Sequence, residues 1–413
     1  MARSGISGRA SWKLTGGMVP SATSGQSLGC SKAIVVVVGL LTLVLCFSGC
    51  TAPANRSQTA QPIAHDQPSR LLQNIDLPRR IGVVENIGLQ TPVISPDGRQ
   101  MLYLRSDQPQ QPPTTLVGAD TPAEGTLSIW LRPTVGAMPG RRISPHRWSH
   151  SPVWSDSGRA IAYVANEESA TAIIHLDLST NQQTQLGLPH AVNAMPRFDG
   201  DDHTLLFCAG DSPYGPWRIY RQAAADPEPI ALSTDGADCL LPVMTGLAGK
   251  VLCAAAESDR LNWTWSAPSG ASNVGTPWGQ SSRLEAVQTW AAIACPLSPD
   301  RDGVMFYDIA RDRICVLHLG DSVVRQHRSG TIAGCWLDNR TIALATQGGL
   351  FITDTKTGAS TPLLNGPWIP CRYVPRESRL ILLGQQGPQH FAVWQIADKP
   401  PAEPTTHKQS SRR

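Results

Sequence analysis

The chain has 413 residues, of which 41% are hydrophobic and 16% charged, which is apolar enough for a sizeable core and too apolar for a disordered chain. Its formal net charge is +3, and four of the cations, Arg3, Arg9, Lys13 and Lys32, precede residue 50 with no acid among them. The remainder is near neutral, which argues against the broad basic face that nucleic acid requires.

The first predicted element is an address. Lys32 precedes an uncharged, almost wholly apolar run from Ala33 to Phe47, which ends in Phe47-Ser48-Gly49-Cys50. That run fits the hydrophobic region of a signal peptide better than a membrane-crossing helix, which needs about 20 residues. Residues 1–49 read as the signal, with Met18 as an alternative start. Small residues before a cysteine resemble the lipobox of bacterial lipoproteins, with Phe47 standing where an aliphatic residue is usual. The resemblance implies lipid on Cys50, export, and anchoring at a membrane of the cell envelope, on the periplasmic or outer-membrane side. An ordinary secretory signal and an uncleaved anchor are the alternatives. From Cys50 to Asp76 the sequence is polar and rich in Pro, Gln and Ser, the composition of a flexible tether, and 398–413 reads as a disordered tail.

Between 77 and 397 a hairpin pattern recurs. "SPVWSDSGRAIAYVA" carries an apolar anchor at Trp154, a polar turn, and a second anchor at Tyr163. The same pairing is found at Ile94 and Tyr103, Phe198 and Phe207, Met244 and Cys253, Leu297 and Phe306, Leu337 and Leu344, and Tyr373 and Leu382. The spacing is nine residues in six units and seven in the unit of Leu337. Two residues before the second anchor stand Met101, Ile161, Leu205, Val251, Val304, Ile342 and Leu380, all aliphatic or Met, on the same strand face as the anchor. Two before the first anchor stand Pro92, Pro152, Pro196, Pro242, Cys295, Cys335 and Cys371. Each unit continues into a third apolar segment, such as "TLSIWL" or "AIIHLDL", and most into an edge-like fourth. Four strands per unit predict an all-β fold, a β-propeller of seven blades, with six as the alternative. "RRIGVVENIG" is a strand without a blade of its own, so Ile81–Glu85 is expected to complete the last blade. "SPDGRQMLYL" and "PVWSDSGRAIAYVA" resemble the repeat of TolB-type, WD40-like propellers. In that family the Asp-Gly turn joins the two inner strands and carries no chemistry.

No catalytic constellation stands out, and no cofactor or metal is implied. "GQSLG" at 25–29 matches the nucleophile-elbow pattern but lies upstream of the apolar run, without the strand and helix the elbow needs. The seven cysteines after Cys50 contain no C-x-x-C. Cys295, Cys335 and Cys371 read as buried apolar side chains in one repeat column, and Cys239 with Cys253 as the best disulfide candidates. His150 and His190 precede the first strands of consecutive blades. Their placement leaves a carbohydrate-acting, metal-dependent lyase as the alternative to a scaffold that binds an envelope protein or glycan. For the scaffold, the expected binding rim is Trp148, His150, His190, Tyr214, Arg260, Trp290 and Trp368, aromatic and Arg types that dominate interface energies.

Overall fold

The aligned columns of the sequence become hydrogen-bonded partners in the structure. Ile94 faces Met101, Trp154 faces Ile161, Phe198 faces Leu205, Met244 faces Val251, and Tyr373 faces Leu380. Leu297 and Val304 form an isolated bridge of the same kind. The computed structural model describes residue 72 and residues 75–398 apart from 86–90, 107–125, 147, 168–169, 213–214, 234–237, 246–249, 258–259, 267–271, 278–295, 309–312 and 388–389.

The sixth unit departs from the expected register. Trp336, not Leu337, faces Ile342. Leu337 lies in the turn, where its N–H and that of Asp338 both donate to the Thr341 carbonyl at 2.9 and 3.3 Å. This turn is shorter than its counterparts, so the column shifts by one residue. Gly334 then occupies the place expected for Cys335, and a Cβ there would stand 2.6 Å from the Met305 sulfur.

After a first strand β1 (Arg79–Glu85), the chain forms seven blades in sequence. Blade 1 contains β2 (Val93–Ile94), β3 (Gln100–Ser106), β4 (Leu127–Pro133) and β5 (Arg141–Arg142). Blade 2 contains β6 (Ser149–Trp154), β7 (Ala160–Glu167), β8 (Ala170–Asp177) and β9 (Gln183–Leu186). Blade 3 contains β10 (Val192–Phe198), β11 (Thr204–Gly210), β12 (Arg218–Ala223) and β13 (Ile230–Ala231). Blade 4 contains β14 (Cys239–Met244), β15 (Val251–Glu257), β16 (Arg260–Ser266) and β17 (Ser272–Pro277). Blade 5 shows β18 (Gly303–Asp308), β19 (Arg313–His318) and β20 (Val323–Ser329), with Leu297 at its inner edge. Blade 6 contains β21 (Thr331–Trp336), β22 (Thr341–Thr346), β23 (Gly349–Asp354) and β24 (Ser360–Asn365). Blade 7 contains β25 (Trp368–Val374), β26 (Arg379–Gly387) and β27 (His390–Ala397), and its outermost strand is β1.

The closing strand runs antiparallel to β27, from Arg79 opposite Gln395 to Glu85 opposite His390. Blade 1 also grips it. The Arg132 guanidinium donates to the carbonyls of Val83 and, at 2.6 Å, Gly136, while the Gly136 N–H donates to the Ile81 carbonyl at 2.7 Å. Packing reaches back past the expected start of the fold at residue 77. Leu72 is buried among residues of blades 6, 7 and 1, and Ile75 bridges Asp398.

The middle strands are apolar almost throughout because both of their faces are covered by neighbouring blades. Every residue of β22 is buried, as are the first six of β7, whereas β24 is mostly exposed and β9 half exposed. The core is accordingly a set of seams between blades. One cluster joins blades 1 and 2, another blades 2 and 3, another blades 5 and 6, and the two largest join blades 3 to 5 and blades 6, 7 and 1. All six described cysteines of the body are buried free thiols, including the disulfide candidates Cys239 and Cys253, whose thiols are in hydrogen-bond contact. Cys295 lies outside the described residues.

Candidate functional site

The proline column marks where the site is built. In blades 2, 3 and 4 the inner strand breaks register between His150 and Val153, Ala194 and Arg197, and Leu240 and Val243. Each break is a bulge in which Ser151, Met195 or Leu241 takes a φ of 53 to 56° and is followed by Pro152, Pro196 or Pro242. A side chain in the left-handed region before a proline is uncommon, because both features restrict the backbone. The proline is tolerated because an innermost strand has no further strand to receive its missing N–H. Such a bulge bends the strand and re-aims its side chains.

The inner strands enclose a central channel of about 500 Å³ with walls from all seven blades. Its surface is largely apolar and includes Trp154, Met195, Phe198, Met244, Leu297 and Tyr373. Arg197, Arg301 and Arg372 supply cationic groups, and Asp156 an anionic one. Arg301 of blade 5 forms an ion pair with Asp156 of blade 2. Those blades are not neighbours in the ring, so the pair reaches across the mouth where the turns between first and second strands gather. These turns are held by a repeated serine. The Ser155 hydroxyl accepts from the Ala160 N–H at 3.1 Å, and the Ser298 hydroxyl accepts from the Gly303 N–H at 2.7 Å.

Among the described residues, the expected rim residues are not all exposed on one surface. Trp148 was expected exposed but is buried in the seam of blades 1 and 2, because it bridges Leu127 and extends the strand that follows it. His150 is also buried. It lines the channel and shares a hydrogen bond of 2.9 Å with Ser151, and burial pushes its imidazole down to about 4. His190 lies instead in an exposed turn with a φ of 61°, and is not among the residues lining the channel. The two histidines that the lyase alternative would need at one metal are therefore not both at the channel. Among the described residues no group of three or more His, Cys, Asp and Glu side chains is placed to hold a metal. Trp368 is half-buried at the start of β25, where its ring meets Trp394 edge-on at 5.6 Å and its N–H donates to the Asn365 carbonyl at 2.8 Å. Arg260 opens β16, with its side chain outside the description, and Cys50, Tyr214 and Trp290 lie outside the described residues.

The bulge residues and the channel arginines were missed by sequence reasoning. The proline column was visible, but the left-handed residue beside each proline has no fixed identity, being Ser, Met or Leu.

No protein-family model matches the chain, and no curated protein matches it. Among solved structures it is similar to TolB from Acinetobacter baumannii, with 17% identity, coverage of 67% of this chain and 66% of that one, and a TM-score of 0.43. It is similar to the β-propeller domain of Cps50 (Swd1) from Myceliophteria thermophila, with 15% identity, coverage of 78% and 98%, and a TM-score of 0.47. A third similar structure is dipeptidyl peptidase 4 from Porphyromonas gingivalis, with 12% identity, coverage of 72% and 49%, and a TM-score of 0.44. The chain spans just under two thirds of the first of these and about half of the last.

Proposed function

We propose that this chain is a lipid-anchored cell-envelope propeller that acts as a binding scaffold and receives a segment of its partner in the central channel. The channel is the observation that supports this reading. Its volume of about 500 Å³ suits a short stretch of extended chain or a compact ligand. Its apolar walls favour apolar side chains, and Arg197 and Arg372 add cationic character that suits a carboxylate, Arg301 being engaged by Asp156. The apolar run that ends at Cys50 supports export and a lipid anchor, and the polar stretch after it gives the ring reach.

Two measurements test the reading. A fatty-acid probe fed to cells is expected to label the wild-type chain and not Cys50→Ala, and an unlabelled wild type would remove the anchor. Chemical crosslinking in intact envelopes is expected to join the wild-type chain to a partner. Arg372→Glu and Met244→Glu, on different blades of the channel wall, should each weaken that product at least tenfold with little change in melting temperature. An undiminished product in both folded variants places the binding surface away from the channel.

A further inference from the structure

We propose that the outer seam where the ring closes is a membrane-docking face suited to a bilayer rich in anionic lipid. The proposal rests on the envelope reading above and adds a second, non-covalent contact to it.

Five large hydrophobic side chains stand exposed among the described residues: Leu77, Val135, Met138, Ile230 and Val323. The first three, at 89%, 56% and 64% exposure, belong to two segments that closure brings together. The Gly136 N–H donates to the Ile81 carbonyl at 2.7 Å, and Gly82 bridges Gly136. Residues 135–138 therefore flank β1, and Leu77 lies four positions before Ile81, about 13 Å along an extended strand. Scattered single apolar side chains on a surface need no explanation, but a cluster does.

The charge around this cluster points to its occupant. Arg79 and Arg80 on β1, and Arg141 and Arg142 on β5, are all exposed. These are the outermost strands of blades 7 and 1. The Arg142 guanidinium is steadied by the carbonyls of Ser144 and His146 at 2.8 and 3.0 Å. On the segments 75–82 and 134–142 the single carboxylate is Asp76; Asp398 stands opposite Ile75 and Glu85 ends β1, so four arginines face three carboxylates around the seam. Neighbours on a strand point to opposite faces, so one arginine of each pair shares a face with the aliphatic side chains, and that combination matches an anionic interface, whose acyl boundary takes the aliphatic groups and whose headgroups take the arginines. A protein partner would call for aromatic anchors at the centre, and these two segments contain none. The chain upstream of Ile75 leads to Cys50 and the apolar run, so the cluster sits at the end of the ring nearest any anchor. Docking there holds the ring by its perimeter, leaving the channel mouths to a partner.

The test uses the full chain purified from membranes and reconstituted into vesicles of phosphatidylcholine with phosphatidylglycerol. A fluorophore is attached at Met138→Cys, and in a second preparation at Ile230→Cys on the outer strand of blade 3, and a quencher is carried on the lipid acyl chains. Quenching at position 138 is expected to exceed that at 230 at least twofold, and to fall to the 230 level in high salt and in Arg79→Glu/Arg80→Glu/Arg141→Glu. Equal quenching at the two positions, or none at 138, overturns the proposal. So does protection of the 138 fluorophore from aqueous iodide in detergent without vesicles, which would assign the cluster to the tether or to a second copy of the chain. The mass of the purified chain reports lipid on Cys50 separately. A lipidated chain without quenching refutes docking alone, and an unlipidated chain that is quenched refutes the anchor alone.

Discussion

One ring nitrogen on each of two tryptophans ties a blade to its predecessor. Trp154 donates to the Val93 carbonyl at 2.9 Å, and Trp336 donates to the Pro296 carbonyl at 3.1 Å. Both occupy the same place at the end of an inner strand, although the sixth unit appears out of step when its residues are counted. Phenylalanine keeps most of the apolar contact and removes the tie, and the Pro296 carbonyl keeps its second donor, the Met305 N–H at 2.7 Å. Trp154→Phe and Trp336→Phe are each expected to cost about 0.5–1.5 kcal/mol in denaturant unfolding, the net worth of one hydrogen bond. Trp368→Phe should cost less, because its N–H reaches only the nearby Asn365 carbonyl at an exposed site. Equal losses for all three would show that the ties between blades carry no special weight. Trp148 shows what sequence could not reveal at this scale. A tryptophan before a strand reads as a loop residue, and only the bridge to Leu127 turns it into part of a seam.

The element that most depends on its neighbours is β1. Gly82 permits blade 1 to approach it, since a Cβ there would stand 2.8 Å from the Thr134 oxygen and 3.2 Å from the Gly136 oxygen. Both are backbone atoms and cannot swing aside as a flexible side chain would. Gly82→Ala is expected to cost about 1–3 kcal/mol, as overpacking does, and to speed limited proteolysis ahead of β1. Unchanged cleavage with a lowered melting temperature would mean that the strain is absorbed elsewhere in the ring. Much at this scale was legible. The period-2 columns located the first two strands in blades 1 to 4 and 7 and the second strand in blades 5 and 6, and a strand with no blade of its own announced the closure. The inner-edge bulges were not legible, because the left-handed residue beside each proline is Ser, Met or Leu and follows no residue type. The shift in blade 6 was hidden for a related reason, since an apolar Leu337 in a short turn imitates a strand anchor.

The stability of the whole molecule should depend on pH through two buried histidines far apart in the ring. Burial pushes His150 in blade 2 and His327 in blade 5 down to about 4 from an ordinary value of 6.5, and neither nitrogen of His327 has a hydrogen-bond partner. Below pH 6.5 the unfolded chain takes up protons that the folded chain refuses until about pH 4. The stability is therefore complete above pH 6.5 and lost progressively down to about pH 4, by on the order of 3 kcal/mol for each group. His327→Gln should flatten the fall in melting temperature across that window, and a slope equal to wild type would exclude His327 as a cause.

Ring closure also sets an order of events. Arg79 pairs with Gln395, so the strand synthesised first waits for the strand synthesised last. A chain emerging from its N-terminus carries β1 as an orphan edge while blades 1 to 6 are made, and such edges invite mispairing. Local hairpins can form early, but the last blade joins distant parts of the chain and is slow for that reason. The interval between first and last strand is therefore when this protein is most exposed to misassembly, and protection of one short apolar strand during that interval would protect the whole fold.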